Sequence, residues 1–445
     1  MIERIEPRGK LIHECPFPGE TRADDVFPAH PNGIQVSQDR FLVVYATRGY
    51  RGGDDDLSIL YQLRADAFDG PVLAERMVAQ TSNEWEPFGD GVPYVLQNGH
   101  PAAFGVPRGA IIGGKPAPNA NLFAIKWHYL ARYLDPDTGI LVSSRDHPGS
   151  LERTIRVGWT QLRLNDAEDD LEVVVPAQQL RQVGYESGEA FCSAPITEMN
   201  NTFTQAVPFD DDCTEWIDFQ HMYGKIAPIK YRYSPQRGIY EWVEIGPLLG
   251  DGVAEASVAR YGHEWVVAAR PSVDPESHGA PAVWMRTDDP FSDPPEIVRP
   301  PAPLIKAPLT AYTMADGQLR LFTGDETISP YGFARNPLYL WDIDPDDGFT
   351  ATNRRVVFDT FEAGIPIPPE SLPRCDFGHL LPHAGGSVQL VAHRLLGSYL
   401  NDARVRGRAI TAADKAPAGI YYDAIHYTES LPNRWQFAAP EAPSV

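Results

Sequence analysis

The feature that most constrains this sequence is a repeated pair of short apolar strands. The segment FLVVY (41–45) is followed by SILYQLR (58–64), and WVVAA (265–269) is followed by AVWMR (282–286). The second strand begins 17 residues after the first in both copies, from 41 to 58 and from 265 to 282. Similarity at a fixed spacing indicates that one supersecondary unit recurs along the chain.

Weaker copies of the same unit occupy about 310–358 and 380–428. Their strands are rich in Val, Ile, Tyr, Trp and Phe, are bounded by turn residues, and show no long helical periodicity, so the chain is nearly all-β. A four-stranded antiparallel sheet cannot bury both of its faces alone, and radial stacking of such sheets solves that problem. We therefore predict one domain over 1–445, a seven-bladed β-propeller with blades at approximately 30–80, 95–140, 150–190, 215–250, 252–300, 308–358 and 378–428. Six blades, two propellers or a large β-sandwich are the alternatives.

The charge balance limits the partners. Lys plus Arg number 38 and Asp plus Glu number 60, which gives a net charge of −22. Such a chain repels nucleic acid and anionic membranes, so any anionic ligand needs a local cluster of Arg and Lys. No apolar run reaches the length of a membrane span. We expect a soluble monomer, secreted or periplasmic if a signal peptide was removed and otherwise cytoplasmic.

Two basic segments could form such a cluster. Arg48 and Arg51 lie in the Gly-rich loop TRGYRGGDDD, where they could grip a carboxylate or simply pair with the adjacent aspartates. The segment HMYGKIAPIKYRY (221–233) contains no carboxylate. Strand alternation places Lys230 and Arg232 on one face and the tyrosines Tyr231 and Tyr233 on the other. This segment suits a polyanion, or else it is an outer strand with long basic side chains reaching solvent.

Two histidines and one cysteine-containing segment are further candidates. His30 and His100 each precede a proline at a strand entrance, which we expect to hold the backbone extended and to aim the ring, although structural histidines are common. In CDFGHLLPH, the residues Cys375, His379 and His383 could bind a structural zinc together with Cys213 or Cys192. Buried thiols are the alternative. We expect structural Zn or Ca at most and no organic cofactor, because nucleotide-binding, zincin and serine-hydrolase motifs are absent.

Three segments carry a family resemblance: HPNGIQVSQDRFLVVYATRGYRGGDDDLSILYQLR, NGHPAAFGVPRGAIIGGKP and FQHMYGKIAPIKYRY. They resemble the β-propeller polysaccharide lyases that cut uronate-containing glycans, namely ulvan lyases and rhamnose–glucuronate lyases. The resemblance extends to related propeller rhamnosidases. It is strongest over about 28–130 and 215–270 and implies an anionic polysaccharide or oligosaccharide as substrate.

The resemblance implies β-elimination across C4–C5 of a uronate. That reaction needs a cation for the carboxylate, a base for the C5 proton and an acid for the departing O4. We assign the cation to Arg232, helped by Lys230 or Arg51, the base to His100 and the acid to Tyr223. His30, Arg48, Asn121 and His221 are expected to contact substrate.

One departure from the lyases leaves other reactions open. Similar ulvan lyases carry a second histidine about twenty residues after the first, where this chain has Asn119 and Asn121. The alternatives are a glycoside hydrolase and a glycan-binding propeller without activity. A rhamnosidase would depend on His30, whereas a sialidase-like enzyme would use three arginines, such as Arg48, Arg51 and Arg260, with an aspartic acid.

Overall fold

The fold is taken from a computed structural model. The structure describes residues 1–12, 26–49, 56–79, 94–134, 141–143, 155–179, 200–201, 204–222, 224–274, 276–292, 295–366, 373–381, 385–396, 417–433 and 435–437. Every regular element in this part of the chain is a β-strand.

The strands are numbered in chain order. Those of the first half are β1 (Ile2–Ile12), β2 (Val26–Ser37), β3 (Arg40–Gly49), β4 (Asp56–Ala65), β5 (Val72–Ala79), β6 (Tyr94–Val106), β7 (Ala110–Ile112), β8 (Lys115–Pro116), β9 (Leu122–Leu134), β10 (Leu141–Ser143), β11 (Ile155–Leu164), β12 (Leu171–Gln179), β13 (Asn200–Asn201), β14 (Val207–Pro208), β15 (Glu215–Met222), β16 (Lys225–Ser234) and β17 (Ile239–Ile245). Those of the second half are β18 (Val253–Tyr261), β19 (Glu264–Pro271), β20 (Ala280–Pro281), β21 (Val283–Thr287), β22 (Glu296–Val298), β23 (Leu304–Ile305), β24 (Thr310–Thr313), β25 (Leu319–Thr323), β26 (Leu338–Asp344), β27 (Thr350–Phe358), β28 (Arg374–Leu380), β29 (Gly386–Leu396), β30 (Gly419–Leu431) and β31 (Gln436–Phe437).

Six antiparallel sheets follow one plan and are called blades 1 to 6. Their strand orders are β2-β3-β4-β5, β6-β9-β11-β12, β13-β15-β16-β17, β18-β19-β21-β22, β24-β25-β26-β27 and β28-β29-β30-β1. The short β10 also pairs with β9, and β14 also pairs with β15. Successive blades contact each other through their first or second strands, and β28 of blade 6 contacts β2 of blade 1. The ring is therefore closed, and the chain is a β-propeller.

The blades form a ring because most of their sheets are apolar on both faces. In β3, Leu42 and Val44 belong to a cluster shared with blade 2, whereas Val43 and Tyr45 belong to a cluster shared with blade 6. There are six such clusters, one between each pair of neighbouring blades. A strand buried on both faces shows a continuous apolar run, which explains FLVVY and WVVAA.

The prediction of an all-β propeller is confirmed, and both repeated strand pairs are hydrogen-bonded neighbours, β3 with β4 and β19 with β21. The prediction of seven blades is not confirmed. The units predicted at 95–140 and 150–190 form one sheet, because β9 pairs with β11 along residues 123–130. Within the described part of the chain, no helix has the length and apolar character needed to cross a membrane.

The first strand of the chain completes the last blade, which leads to a stability prediction. Leu11 on β1 is 4% exposed and belongs to the cluster between blades 6 and 1. Replacing it by alanine leaves a cavity in that interface, so Leu11→Ala is expected to lower the free energy of unfolding by about 2–5 kcal/mol. Urea unfolding followed by tryptophan fluorescence measures the change.

The matched control is Arg4→Ala on the same strand, where the side chain is 59% exposed. An exposed ion pair contributes little, so this variant is expected to unfold within about 1 kcal/mol of the parent protein. If both variants lost the same free energy of unfolding, this would contradict the role of β1 as the strand that closes the ring.

Candidate functional site

Three first strands carry the same irregularity part-way along the strand. Residues 30–31 of β2, 100–101 of β6 and 377–378 of β28 each lie opposite a single residue of the second strand, which makes a β-bulge. The first bulge residue has a positive φ in each case: 50° at His30, 50° at His100 and 58° at Phe377. Such φ values are uncommon outside glycine, and bulges redirect side chains.

The bulges correct one expectation from the sequence. The prolines after His30 and His100 were predicted to keep these residues extended, but both have φ values in the left-handed region. The extra residue in each first strand interrupts the alternation of side chains between the two faces of the sheet. Each histidine ring therefore points in a direction that a regular strand would not give it.

The redirected rings meet. The ring centroids of His30 and His100 are 3.7 Å apart with the rings stacked, and those of His100 and His128 are 4.5 Å apart. Phe377 packs edge-on against His30 at 4.6 Å. The three imidazoles, called the histidine cluster, are 2%, 8% and 3% exposed for His30, His100 and His128. They lie in a nearly dry environment, where hydrogen bonds and charges act more strongly than in water.

An arginine fixes the protonation state of His30. The Arg394 Nη1 lies 2.6 Å from His30 Nε2, and its guanidinium carbon is 4.5 Å from the Phe377 ring centre. A guanidinium remains protonated and can only donate, so His30 Nε2 accepts the hydrogen bond. His30 is therefore neutral, with its proton on Nδ1.

Three arginines surround one carboxylate beside this contact and form the arginine cluster, Arg335, Arg374 and Arg394. Arg394 donates to Asp376 Oδ1 through Nε at 2.9 Å and Nη2 at 2.7 Å, and Arg335 Nη1 lies 2.5 Å from Asp376 Oδ2. Burial alone would raise the pKa of Asp376, but the charges of Arg394, Arg335 and Arg374 hold it well below its usual range. The four groups together carry a net charge of 3 − 1 = +2.

A buried ion pair lies two residues from His128 on the same face of β9. The Lys126 ammonium contacts Asp218 on β15, and both side chains are fully buried. Gln220 Nε2 donates to Asp218 at 3.2 Å, and the Tyr231 hydroxyl donates to it at 3.3 Å. Burial lowers the pKa of Lys126 well below its usual value. This pair joins blade 2 to blade 3, two residues along β9 from His128.

Asn119 and Asn121, which stand where the lyases of the resemblance carry a second histidine, both make structural contacts. Asn119 donates to the Cys213 carbonyl at 2.7 Å, and the Asn121 side chain bonds both backbone groups of Leu164. Both amides therefore fasten loops, and Asn121 is not part of the histidine cluster. His100 contacts His128, on the neighbouring strand β9, in addition to His30.

Arg232 is not brought to His100, which corrects the predicted site. It lies near the end of β16, the third strand of its blade, is 54% exposed, and donates to Glu215 at 2.5 Å. Lys230 on the same strand pairs with Glu244 at 2.8 Å and lies 4.3 Å from the ring centres of Phe209 and Phe291. Third strands lie away from the centre of a propeller, so this basic segment faces outwards. The predicted alternation is confirmed, since Tyr231 and Tyr233 pack in the cluster between blades 2 and 3.

Several predicted residues cannot be placed. Tyr223, Arg51 and His383 lie outside the described residues, and of Arg48 only the backbone is described, in β3. His221 is partly buried near the end of β15, where its Cα pairs with Asn200 on β13. That end of blade 3 is the end at which the first strands begin, because β15 runs antiparallel to the first strand of its sheet.

The predicted metal ligands that can be placed do not form one site. Cys213 lies between blades 2 and 3, whereas Cys375 lies between blades 5 and 6. Cys375 Sγ is 3.4 Å from His393 Nδ1, and burial raises the pKa of this thiol. His379 instead contacts the Tyr312 hydroxyl through Nδ1 at 3.3 Å, and burial lowers its pKa to about 3.

The sequence contained a signal for the residues that were missed. His128 and Arg394 stand inside apolar second strands, AIKWHYL and LVAHRLL, where a charged or titratable group must find a buried partner. Asp376 lies in CDFGHLLPH, the segment predicted to bind metal. A buried polar group in an otherwise apolar strand was the available clue.

Comparisons with known proteins identify the fold. No protein-family model and no curated protein matches the chain. Among solved structures, the chain is similar to a protein of unknown function from Dyadobacter fermentans, with a TM-score of 0.56, 11% identity, and coverage of 96% of this chain and 100% of that one. It is also similar to a mutant Trypanosoma rangeli sialidase displaying trans-sialidase activity, with a TM-score of 0.54, 10% identity, and coverage of 95% and 58%.

A third similar structure is a Hadza microbial sialidase, with a TM-score of 0.53 and 11% identity. The match covers 90% of this chain and 66% of the sialidase, so the chain spans slightly less than two thirds of that protein. These matches establish the β-propeller fold.

The arginine cluster predicts a specific pH dependence of stability. Asp376→Asn removes the negative charge that Arg335 and Arg394 bond, and the loss of one partner from a buried ion pair costs about 3–5 kcal/mol at neutral pH. The folded-state pKa of Asp376 is depressed, so its stabilising effect is full above about pH 4 and decreases as the pH falls further. The difference in unfolding free energy between the parent and Asp376→Asn should therefore shrink on acidification from pH 4 to pH 2. A difference independent of pH would contradict the assignment of an ionised Asp376.

Proposed function

We propose that this protein is a glycan-active enzyme that cleaves a uronate-containing polysaccharide by β-elimination at the histidine cluster. The observation that carries the proposal is the contact between that cluster and the arginine cluster, through Arg394 and His30 at 2.6 Å. A dry group of imidazoles beside a net positive charge combines the two properties that this reaction requires.

The charge argument favours an anionic sugar. The chain as a whole has a net charge of −22, yet the arginine cluster and Asp376 together are positive. Arginine binds carboxylates through paired hydrogen bonds, and Arg335, whose side chain is 18% exposed, is the more open of the two arginines that bond Asp376. We assign the substrate carboxylate to Arg335. Neutralising that carboxylate makes the C5 proton more acidic.

The proton transfers are assigned to the imidazoles that Arg394 does not contact. His100 is the most exposed of the three imidazoles and takes the C5 proton. At the same time the C4–O4 bond breaks, and the electron pair of that bond departs with O4. The electrons of the C5–H bond form the C4–C5 double bond, and O4 receives a proton from the acid. His128, beside His100, is the acid in this proposal, and Tyr223, the acid predicted from the sequence, is the alternative.

The carboxylates around the cluster argue against hydrolysis by an acid and a base carboxyl group. That mechanism needs two such groups on either side of the glycosidic bond. Among the residues that the structure describes, Asp376 is held by arginines and Asp218 by Lys126. Both are thereby committed to structural ion pairs.

A second candidate is a glycoside hydrolase acting on an anionic sugar. Arg335, Arg374 and Arg394 are three arginines gathered at one place, as a sialidase-like enzyme would need, although they differ from the predicted Arg48, Arg51 and Arg260 and surround the protein's own Asp376. Sialidases are also among the similar structures. In this version His30, in contact with Arg394, would be the essential histidine. A glycan-binding propeller without turnover is the third possibility.

The lyase proposal predicts the effect of single histidine substitutions. His100→Ala removes the base and is expected to lower kcat on a uronate polysaccharide by about 10²–10⁴-fold, and His128→Ala is expected to act in the same direction. The assay follows the ultraviolet absorbance of the unsaturated uronate product over a panel of rhamnose–glucuronate polymers. Carboxyl-reduced polymers should not be cleaved, because they lack the group assigned to Arg335.

His263→Ala is the matched control, since this histidine is 86% exposed on blade 4. It should leave kcat unchanged. Saturated products, together with activity lost in His30→Ala and kept in His100→Ala, would establish the hydrolase instead. Saturable binding without any product would establish the glycan-binding propeller.

A further inference from the structure

A cavity opens at the end of the propeller channel where the first strands end. It has a volume of about 520 Å³ and lies between blades 3, 4, 5 and 6. Its walls include Ser257 on β18, Tyr312 on β24 and Leu380 at the end of β28. Small-molecule sites in proteins typically measure about 300–1,000 Å³, so a compact ligand fits here.

The histidine cluster and this cavity are separate sites. Gln205 lines the cavity, and its Nε2 donates to Asn32 Oδ1 at 2.8 Å and also contacts the Gly33 carbonyl. Asn32 follows His30 by two residues on β2 and is fully buried. The hydrogen bond between Gln205 and Asn32 therefore joins the cavity wall to β2, and none of the three imidazoles lines the cavity.

The cavity wall is rich in uncharged hydrogen-bonding groups. Hydroxyl and amide side chains reach it from all four blades, and these are Thr204, Gln205, Ser257, Thr313, Gln389 and Asn433. The Thr313 hydroxyl is buried and has no hydrogen-bond partner among the described residues. A buried hydroxyl without a partner costs free energy, so this position favours a ligand that supplies one.

The aromatic and charged groups define the ligand further. Tyr312 lines the cavity, and His379 holds its hydroxyl at 3.3 Å, so the phenol ring is fixed as part of the wall. Arg260 at the rim pairs with Asp211 at 3.3 Å and lies over the Trp265 ring. Asp210 accepts from the backbone of Glu215 at 2.9 Å. Among the residues that line the cavity, the one arginine is paired with a carboxylate and Asp210 adds a further negative charge, so the wall disfavours an anion.

From these features we infer that the cavity binds an uncharged sugar unit. Amide and hydroxyl groups bond sugar hydroxyls in both directions, and an aromatic side chain covers the apolar face of a sugar ring. The protein then holds a neutral sugar where the first strands end, apart from the histidine cluster. This inference does not depend on the reaction proposed for the histidine cluster.

Direct binding tests the inference independently of turnover. Isothermal titration calorimetry would compare methyl α-glycosides of rhamnose, galactose, glucose and xylose with glucuronate as the anionic probe. We expect saturable binding of at least one neutral glycoside and none of glucuronate at this cavity. Thr313→Val keeps the shape of the side chain and removes the hydroxyl, so it should weaken binding by about threefold to tenfold.

A blocking variant and its control locate the site. Ala315→Trp fills the cavity from the β24–β25 turn and should abolish binding, whereas Ala67→Trp, in a partly exposed turn of blade 1, should not. Cleavage of a uronate polymer by Ala315→Trp should equal that of the parent protein. The inference is overturned if no neutral glycoside binds, if only glucuronate binds, or if binding survives in Ala315→Trp.

Discussion

The burial of both faces of each blade is the constraint on which the whole structure depends. A single sheet such as β2 to β5 presents apolar side chains towards two neighbours, and the six clusters between blades contain most of the large buried residues. No sheet can satisfy both faces unless the ring closes. The closed ring leaves the first strands facing a common channel, and this is why bulges on three separate blades can bring their side chains into contact.

The fold was predictable from the sequence because the repeated unit is local. Strand length, apolar runs and the equal spacing of two strand pairs lie within windows of about 50 residues, and the structure confirms these pairs. The number of blades was harder to predict from the sequence. In blade 2 the long second strand, β9, pairs with both β6 and β11. The part of the blade formed by β6 and β9 and the part formed by β11 and β12 therefore resembled two separate units in the sequence.

The candidate site was only partly predictable, because its members come from distant parts of the chain. His30 and His100 were identified from their position before proline at strand entrances, and the structure places their rings in contact. Arg232 was chosen because its segment lacks acidic residues, but Glu215 on the adjacent strand supplies the partner. The sequence marks Arg394 as a charged residue in an apolar strand, but its contact with His30 exists only because β28 and β29 pair beside β2. A bulge also reverses the expected direction of a side chain, and its presence depends on the register of two strands.

The pairing of β1 with β30 joins residues that are about 420 positions apart, from Ile2 with Tyr427 to Ile12 with Ile420. During synthesis from the N-terminus, β1 has no partner until about 400 further residues have been made. Until then the nascent protein exposes an unpaired strand and an open stack of sheets, both of which favour association with other chains. Assistance by chaperones during translation would accordingly benefit this protein more than a fold of similar size built from local contacts.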